Sequence, residues 1–254
     1  MSGQISVTAG QVPELIKKNL RHPRIVTALC GDNGLGKSEA AMQGVEQYAE
    51  EIGMTCVDTR EQVPNAARNE LGVTHMNFAN YQPEDLQFPD VKERIYRHVI
   101  SDILPFANSR WEGGGYTRDT YQGVLICDEV GKNKSLFNNL SQWVCEGAWG
   151  NGEKLPAGLR IIFTTNDATH NAGSVNLTND LINRICHVTV RKCVHAFMDY
   201  HRGDKALHAA IMAGAKFIGE DFVFTQSRKT VGQPFASPRS HTRNSIILSE
   251  PVSY

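Results

Sequence analysis

Apolar positions along the chain fall into two kinds of run, short β-branched ones and longer ones with helical spacing. Arg24-Ile25-Val26-Thr27-Ala28-Leu29-Cys30 is apolar almost throughout and predicts a buried strand, and Glu39 to Glu51 after it predicts a helix. Ahead of this strand, Val12, Leu15, Ile16 and Leu20 recur at helical spacing with Lys17 and Lys18 opposite, which predicts a short amphipathic helix over the sheet edge. Met54 to Asp58 predicts a second strand, whereas Val63 to Pro89 shows no clear period beyond a polar-then-apolar turn at Pro83-Glu84-Asp85-Leu86 and Phe88-Pro89. Val91 to Leu104 reads as a helix with Ile95, Val99, Ile103 and Leu104 on one side, ended by Pro105, and Gly113-Gly114-Gly115 reads as a mobile loop.

The second half repeats the alternation. Val124-Leu125-Ile126-Cys127 predicts a strand that ends in Asp128 and Glu129, and Ser135 to Glu146 a helix with Leu136, Phe137, Leu140, Trp143 and Val144 on one face. A glycine-rich loop, Gly147 to Gly152, carries Trp149, and Arg160 to Asn166 predicts a further buried strand. Phe197 to Ile218 is mostly helical, with Met198 and Met212 as core fillers, and Gln226 to Ser237 is a polar loop whose Arg228 and Lys229 mark a solvated face. Strands alternating with helices predict an α/β fold around a mainly parallel sheet.

Chemistry is concentrated where strands end. Gly31-Asp32-Asn33-Gly34-Leu35-Gly36-Lys37-Ser38 fits the phosphate-loop spacing, with a strand before it and a helix after it. Its glycines let backbone N–H groups converge on phosphate oxygens at a helix N-terminus, Lys37 can reach the β- and γ-phosphates, and Ser38 can offer its hydroxyl to Mg2+. Asp128 at the end of the next acidic strand can hold that cation through its water shell, and Glu129 can polarise an attacking water. Asn166 can orient the same water through its amide, or simply end a strand.

Composition narrows the partners. The 254 residues are 41% hydrophobic, enough for one large domain and a small one, and the 26 basic and 27 acidic residues leave no overall field that favours nucleic acid or anionic lipid. No apolar run is long enough to span a bilayer and residues 1–10 carry no signal-like segment, so a cytoplasmic location is expected, in the host if the protein is viral. Six scattered cysteines without CxxC spacing read as reduced core residues, and nine histidines without a pair on an acid-bearing helix predict no metal beyond nucleotide-bound magnesium.

The order of these motifs, continued by Thr165-Asn166-Asp167, Leu181 to Val188 and Ser237-Pro238-Arg239, resembles AAA+ ATPases, and within them the MoxR-like branch that includes phage versions. The resemblance implies a P-loop NTPase three-layer sandwich with a parallel sheet over residues 1–190, followed by a small helical lid over 191–254 that stops soon after the second-sensor helix begins. Lys37 and Ser38 resemble the Walker A pair, Asp128 and Glu129 the Walker B pair, Asn166 the first sensor and Arg239 the second. Arg184 resembles the arginine finger, which acts in trans on a neighbouring subunit's γ-phosphate and is worth roughly 10³–10⁵ in rate in related NTPases. ATP and Mg2+ are the implied cofactors, with a homo-oligomeric, hexameric ring acting on a protein that Trp149 or the Gly113 to Gly115 loop would contact. Two alternatives stay open: a motor acting on DNA, and a nucleotide-gated assembly module with little turnover. His241 stands where phage-type members often carry Trp, which leaves the packing around it open.

Overall fold

The computed structural model describes residues 5–92, 95–101, 104, 112–132, 136, 140, 143–148, 154–166, 183–202, 207–224 and 236–249. Seven strands form one sheet: β1 (Ile5–Thr8), β2 (Val26–Cys30), β3 (Thr55–Asp58), β4 (Glu70–Asn77), β7 (Gln122–Asp128), β8 (Gly158–Thr165) and β9 (Ile185–Arg191). Every pairing is parallel, in the order β1-β9-β2-β8-β7-β4-β3. From β2 the chain crosses to the far edge, returns through β4, β7 and β8, and then places β9 on the other side of β2. The order therefore reverses at β2, which opens a crevice at the carboxyl ends of the strands, where α/β sheets bind ligands.

Both sheet faces are covered, as a parallel sheet requires. Val124 and Ile126 of β7 point into one apolar core together with Leu29, Ile162 and Val188, while Leu125 and Cys127 point into the other with Ala28, Ile161 and Phe163. Over the first face lie α1 (Val12–Leu20) and α2 (Lys37–Glu51). Val12, Ile16 and Leu20 of α1 are buried as their spacing predicts, although the helix packs chiefly on α2, where a Cβ on Gly44 would come within 2.6 Å of Ile16. Leu136, Leu140 and Trp143 of the predicted 135–146 helix are buried in the core of the opposite face, with 143–146 helical. Each such large side chain is worth about 1.5–3 kcal/mol of burial.

Three expectations change. Val91 to Leu104 does not form a helix: β5 (Gln87–Lys92) and β6 (Ile95–Ile100) make a separate antiparallel hairpin after the single helical turn α3 (Pro83–Leu86). The Ile95 and Val99 spacing of four satisfies a period of two as well as a period near 3.6, and the β-branched and aromatic content of the segment decides for the strand. The mostly helical stretch expected over 197–218 resolves into two helices, α4 (Val194–Tyr200) and α5 (Ala209–Ile218), followed by the short α6 (Glu220–Val223) and by α7 (Pro238–Ser249). Glu112–Gly114 forms a 3-10 turn in which Gly114 is packed, since a Cβ there would meet the Pro64 carbonyl oxygen at 1.7 Å, while Gly113 and Gly115 are exposed. Trp149 and residues 225–235 lie outside the described residues.

His241 resolves the packing question of α7. It is buried, stacks on Phe222 with ring centroids 4.7 Å apart, and its Nε2 lies 3.0 Å from the Phe222 carbonyl oxygen. At the opposite end of the sheet, Arg160 is 94% buried because its exposure is only 6%. Its guanidinium donates to the Leu20 and Gly158 carbonyls and to Gln122 Oε1, and it lies 4.9 Å from the centre of the Tyr48 ring. One side chain thus joins α1, α2, β7 and β8. Arg160→Ala should lower the unfolding free energy by about 3 kcal/mol, because buried carbonyls lose their donor. A urea midpoint equal to that of the unaltered chain would show that the guanidinium is dispensable.

Candidate functional site

At the carboxyl end of β2 the backbone turns through residues 31–36 into α2. Gly36, the N-cap of α2, has φ +81°, a left-handed conformation open to glycine at little cost, and Gly34 has φ +77° with so little room that a Cβ would sit 2.8 Å from Ser237. The loop therefore leans on the start of α7, where Ser237 and Ser240 cap each other through backbone N–H to hydroxyl bonds of 2.8 and 3.3 Å. Lys192, just after β9, holds the Asp32 carboxylate at 3.1 Å from the other side.

Lys37 is buried, and its ammonium donates to the carbonyls of Gly31 at 2.9 Å and Asp32 at 2.8 Å and to Asn166 Oδ1 at 3.2 Å. Burial depresses its pKa to about 8; the nearby Arg239 charge works in the same direction, while Cys30, Asp128 and Asp32 oppose it. The site thus places its lysine where an arriving anion would meet a desolvated cation with little water to displace.

Asp128, at the end of β7, is gripped from three elements. Ser38 of α2 donates its hydroxyl to Oδ1 at 2.7 Å, Thr164 of β8 donates to the same oxygen, and His75 of β4 places Nε2 2.6 Å from Oδ2. Burial pushes the carboxyl up, but the hydrogen bonds from His75, Thr164 and Ser38 outweigh it and hold the group below the usual aspartate value. Glu129 follows with φ +57°, an uncommon conformation for a residue with a side chain and one that functional sites tend to retain. Its carboxylate accepts from Asn77 Nδ2 at 3.3 Å and from Lys132 Nζ at 2.8 Å.

These groups line one cavity of about 550 Å³, within the range of roughly 300–1,000 Å³ typical of small-molecule sites. Its lining combines polar groups (Lys37, Ser38, Asp128, Glu129 and Asn166) with an apolar and aromatic set (Ala9, Gly10, Phe197, Tyr200 and Phe224). Tyr200 reaches across from α4 and donates to Glu39 of α2 at 2.9 Å. Ser38 and Asp128 supply hard oxygen donors 2.7 Å apart, and no cluster of three or more His, Cys, Asp or Glu side chains suited to a metal occurs among the described residues. That donor set fits Mg2+, which takes one or two carboxylates and completes its shell with water and substrate phosphates.

Of the residues singled out in the sequence, the structure brings together Asn33, Gly34, Leu35, Gly36, Lys37, Ser38, Asp128, Glu129, Asn166 and Arg239 around this cavity, with Gly31 and Asp32 forming the loop wall behind Lys37. It does not bring Arg184 there. Ile185 pairs with Val26 at the start of β2, so the exposed Arg184 before it lies at the end of the sheet opposite the phosphate loop. His75, Asn77, Lys132, Thr164 and Arg191 escaped the sequence reading. A signal existed for two of them: His75 and Asn77 are polar residues at a spacing of two where β4 runs out beside Asp128.

The sequence matches no protein-family model, and no curated protein matches it. Solved structures resemble it at low identity. A protein from Cytophaga hutchinsonii, named as a candidate ATPase, is 13% identical with TM-score 0.44, over 93% of this chain and 58% of that one. NtrX from Brucella abortus is 15% identical with TM-score 0.48 in its ADP complex and 14% with 0.45 in its ATP complex, over 96% and 95% of this chain. The chain spans about half the length of these structures, 58% in the first and 50% in the other two.

The lysine makes a testable imprint on stability. Its folded pKa of about 8 lies below the ordinary lysine value of 10.5, so the folded state carries a desolvation cost that is full below pH 8 and disappears as pH rises towards 10.5. The stability of Lys37→Met relative to the unaltered chain should therefore be more favourable at pH 7 than at pH 10 by on the order of 2 kcal/mol. Paired urea titrations at the two pH values check this, and a gap independent of pH would refute it.

Proposed function

We propose that this chain is a Mg2+-dependent, ATP-binding and ATP-hydrolysing protein of the AAA+ type. The observation that carries the reading is the convergence, from three separate segments, of Lys37, Ser38, Asp128, Glu129 and Asn166 on one cavity beside a phosphate loop. Backbone N–H groups at the start of α2 would receive the phosphate oxygens and Lys37 would exchange its carbonyl partners for the β- and γ-phosphates. Ser38 and Asp128 are the residues that would hold Mg2+, which when bound neutralises charge on the phosphates. Glu129 would take a proton from the attacking water as its oxygen bonds to the γ-phosphorus and the bond to the β,γ-bridging oxygen breaks, releasing ADP and phosphate. Asn166 would orient that water, and Arg239 would add positive charge from α7. The apolar and aromatic wall would receive the base, and residues 191–254 would act as the small helical lid over it.

A ring of copies is part of the proposal. Arg184 lies too far from its own cavity to serve it and is exposed, as a residue reaching into a neighbour's site must be. Phe217, Ile218, Ile246, Ile247 and Leu248 are exposed on α5 and α7, which supports contact with another protein surface. A MoxR-like remodelling role on a protein partner in the cytoplasm is the reading preferred over a DNA motor, given the near-zero net charge.

A second reading, a nucleotide-gated module with little turnover, draws on one observation: both Glu129 oxygens are occupied, by Asn77 and Lys132. Steady-state ATPase against protein concentration separates the two, since a ring enzyme gains specific activity as it assembles and a gated module stays flat. For the main reading, Glu129→Gln should retain ATP and lose turnover by about 100-fold or more, and undiminished hydrolysis in that variant would sink the mechanism. Arg184→Ala should be equally inactive alone, and mixing it with Lys37→Ala should restore part of the activity; no recovery on mixing would exclude a shared site.

A further inference from the structure

We infer that His75 is a positioning residue for the metal-binding carboxylate, fixing Asp128 so that Ser38 presents its oxygen to the cation. The inference rests on the nucleotide-binding reading above and adds to it a residue that the phosphate-loop pattern does not contain. β4 lies beside β7 with Asn77 opposite Asp128 and His75 opposite Ile126, so His75 stands one step back along the neighbouring strand. From there a long ring reaches diagonally forward to Asp128, and Nε2 arrives 2.6 Å from Oδ2.

The division of labour around the carboxylate gives this contact its consequence. Ser38 and Thr164 both donate to Oδ1, whereas His75 is the partner on Oδ2. Two donors pulling on one oxygen leave rotation about the Cβ–Cγ bond opposed from one side only, and the ring N–H on the second oxygen stops it. With the carboxylate fixed, the Ser38 hydroxyl spends its proton on Oδ1 and turns its lone pairs to the cavity, which is the orientation a hard cation requires. Committing Oδ2 to a donor also leaves Asp128 less able to bind the cation directly, which favours contact through the water shell. Partners that orient metal ligands in this way are typically worth about 10–100-fold in metal affinity. A neutral ring with Nε2 protonated suffices, and His75, itself half-buried, lines the same cavity.

The test is a Mg2+ titration of the binding of a fluorescent, non-hydrolysable ATP analogue to the full chain, with an EDTA reference, on the unaltered protein, His75→Ala and His75→Gln. The glutamine places an N–H donor at the depth of Nε2 and therefore separates the hydrogen bond from the ring. His75→Ala should need about 10–100-fold more Mg2+ to reach half of the Mg2+-dependent gain in affinity, with its affinity in EDTA unchanged, and His75→Gln should regain most of the loss. In turnover, the His75→Ala deficit should shrink as Mg2+ is raised. An unchanged Mg2+ midpoint in His75→Ala overturns the inference, as does equal loss in both variants or a parallel loss of affinity in EDTA. If the unaltered protein binds no nucleotide, the nucleotide reading itself falls; if it binds and His75→Ala matches it, only the role of His75 falls.

Discussion

A carboxylate withdrawn from water at the carboxyl end of a parallel sheet must be satisfied by its neighbours or it will not stay ionised. Asp128 is that group, and the arrangement around it follows from this constraint. β7 carries it, so β8 on one side must supply a donor and does so with Thr164, β4 on the other side supplies His75, and α2 supplies Ser38 across the crevice. The order β8-β7-β4 is thus expressed in polar side chains as well as in the apolar faces of the sheet. Lys37 completes the balance of charge, buried beside the acid and held by loop carbonyls and by Asn166.

The same economy explains which parts of the molecule were legible in the sequence. β2, β7 and β8 are buried on both faces and read as continuous apolar runs, so they stood out, together with the acids and the amide that end two of them. β4 is equally central but carries Glu70, Thr74, His75 and Asn77, and the polar residues that make it useful to Asp128 erased the apolar signal by which a strand is found. The missed strand therefore hid His75 and Asn77. The hairpin of β5 and β6 is obscured for a different reason: apolar residues four apart fit a strand and a helix equally, and the β-branched and aromatic content that decides for the strand carries no period of its own. β1 was passed over because an edge strand of four residues is too short to show a period. Of the two arginines taken from the family resemblance, Arg239 was placed at the cavity by a loop-to-helix contact that sequence spacing cannot express, and Arg184 was carried to the far end of the sheet by the direction of β9.

How the helices after β9 bear on the phosphate loop is also physical. Gly34 touches Ser237 with no room for a side chain, Lys192 pairs with Asp32, and Tyr200 bonds to Glu39 at the start of α2. These three contacts join the loop and its helix to α4, α7 and the end of β9. A ligand that reshapes the loop must alter all three, and a displacement of α4 or α7 must in turn be felt by the loop. Linkage of this kind is reciprocal: whatever free energy a ligand at the loop spends on moving those helices, a partner bound to the helices returns to that ligand.

Glu129 combines main-chain strain with two side-chain ties. Its backbone sits at φ +57°, a conformation that costs on the order of 1–2 kcal/mol for a residue with a Cβ, and its carboxylate is tied to Asn77 and Lys132. The strain is independent of the ties, since it belongs to the main chain, and it aims the side chain from the end of β7 towards β4 and the turn that follows. An acid that is to draw a proton from water needs a free lone pair directed at that water. Lys132 is half-exposed, so its ion pair is worth little and yields readily, whereas Asn77 is fixed by β4 beside Asp128. The strand that contacts Asp128 through His75 therefore also restrains Glu129 through Asn77. A shift of β4 relative to β7 would change both at once, and under the proposed function that would couple the holding of a triphosphate to its cleavage without any further moving part.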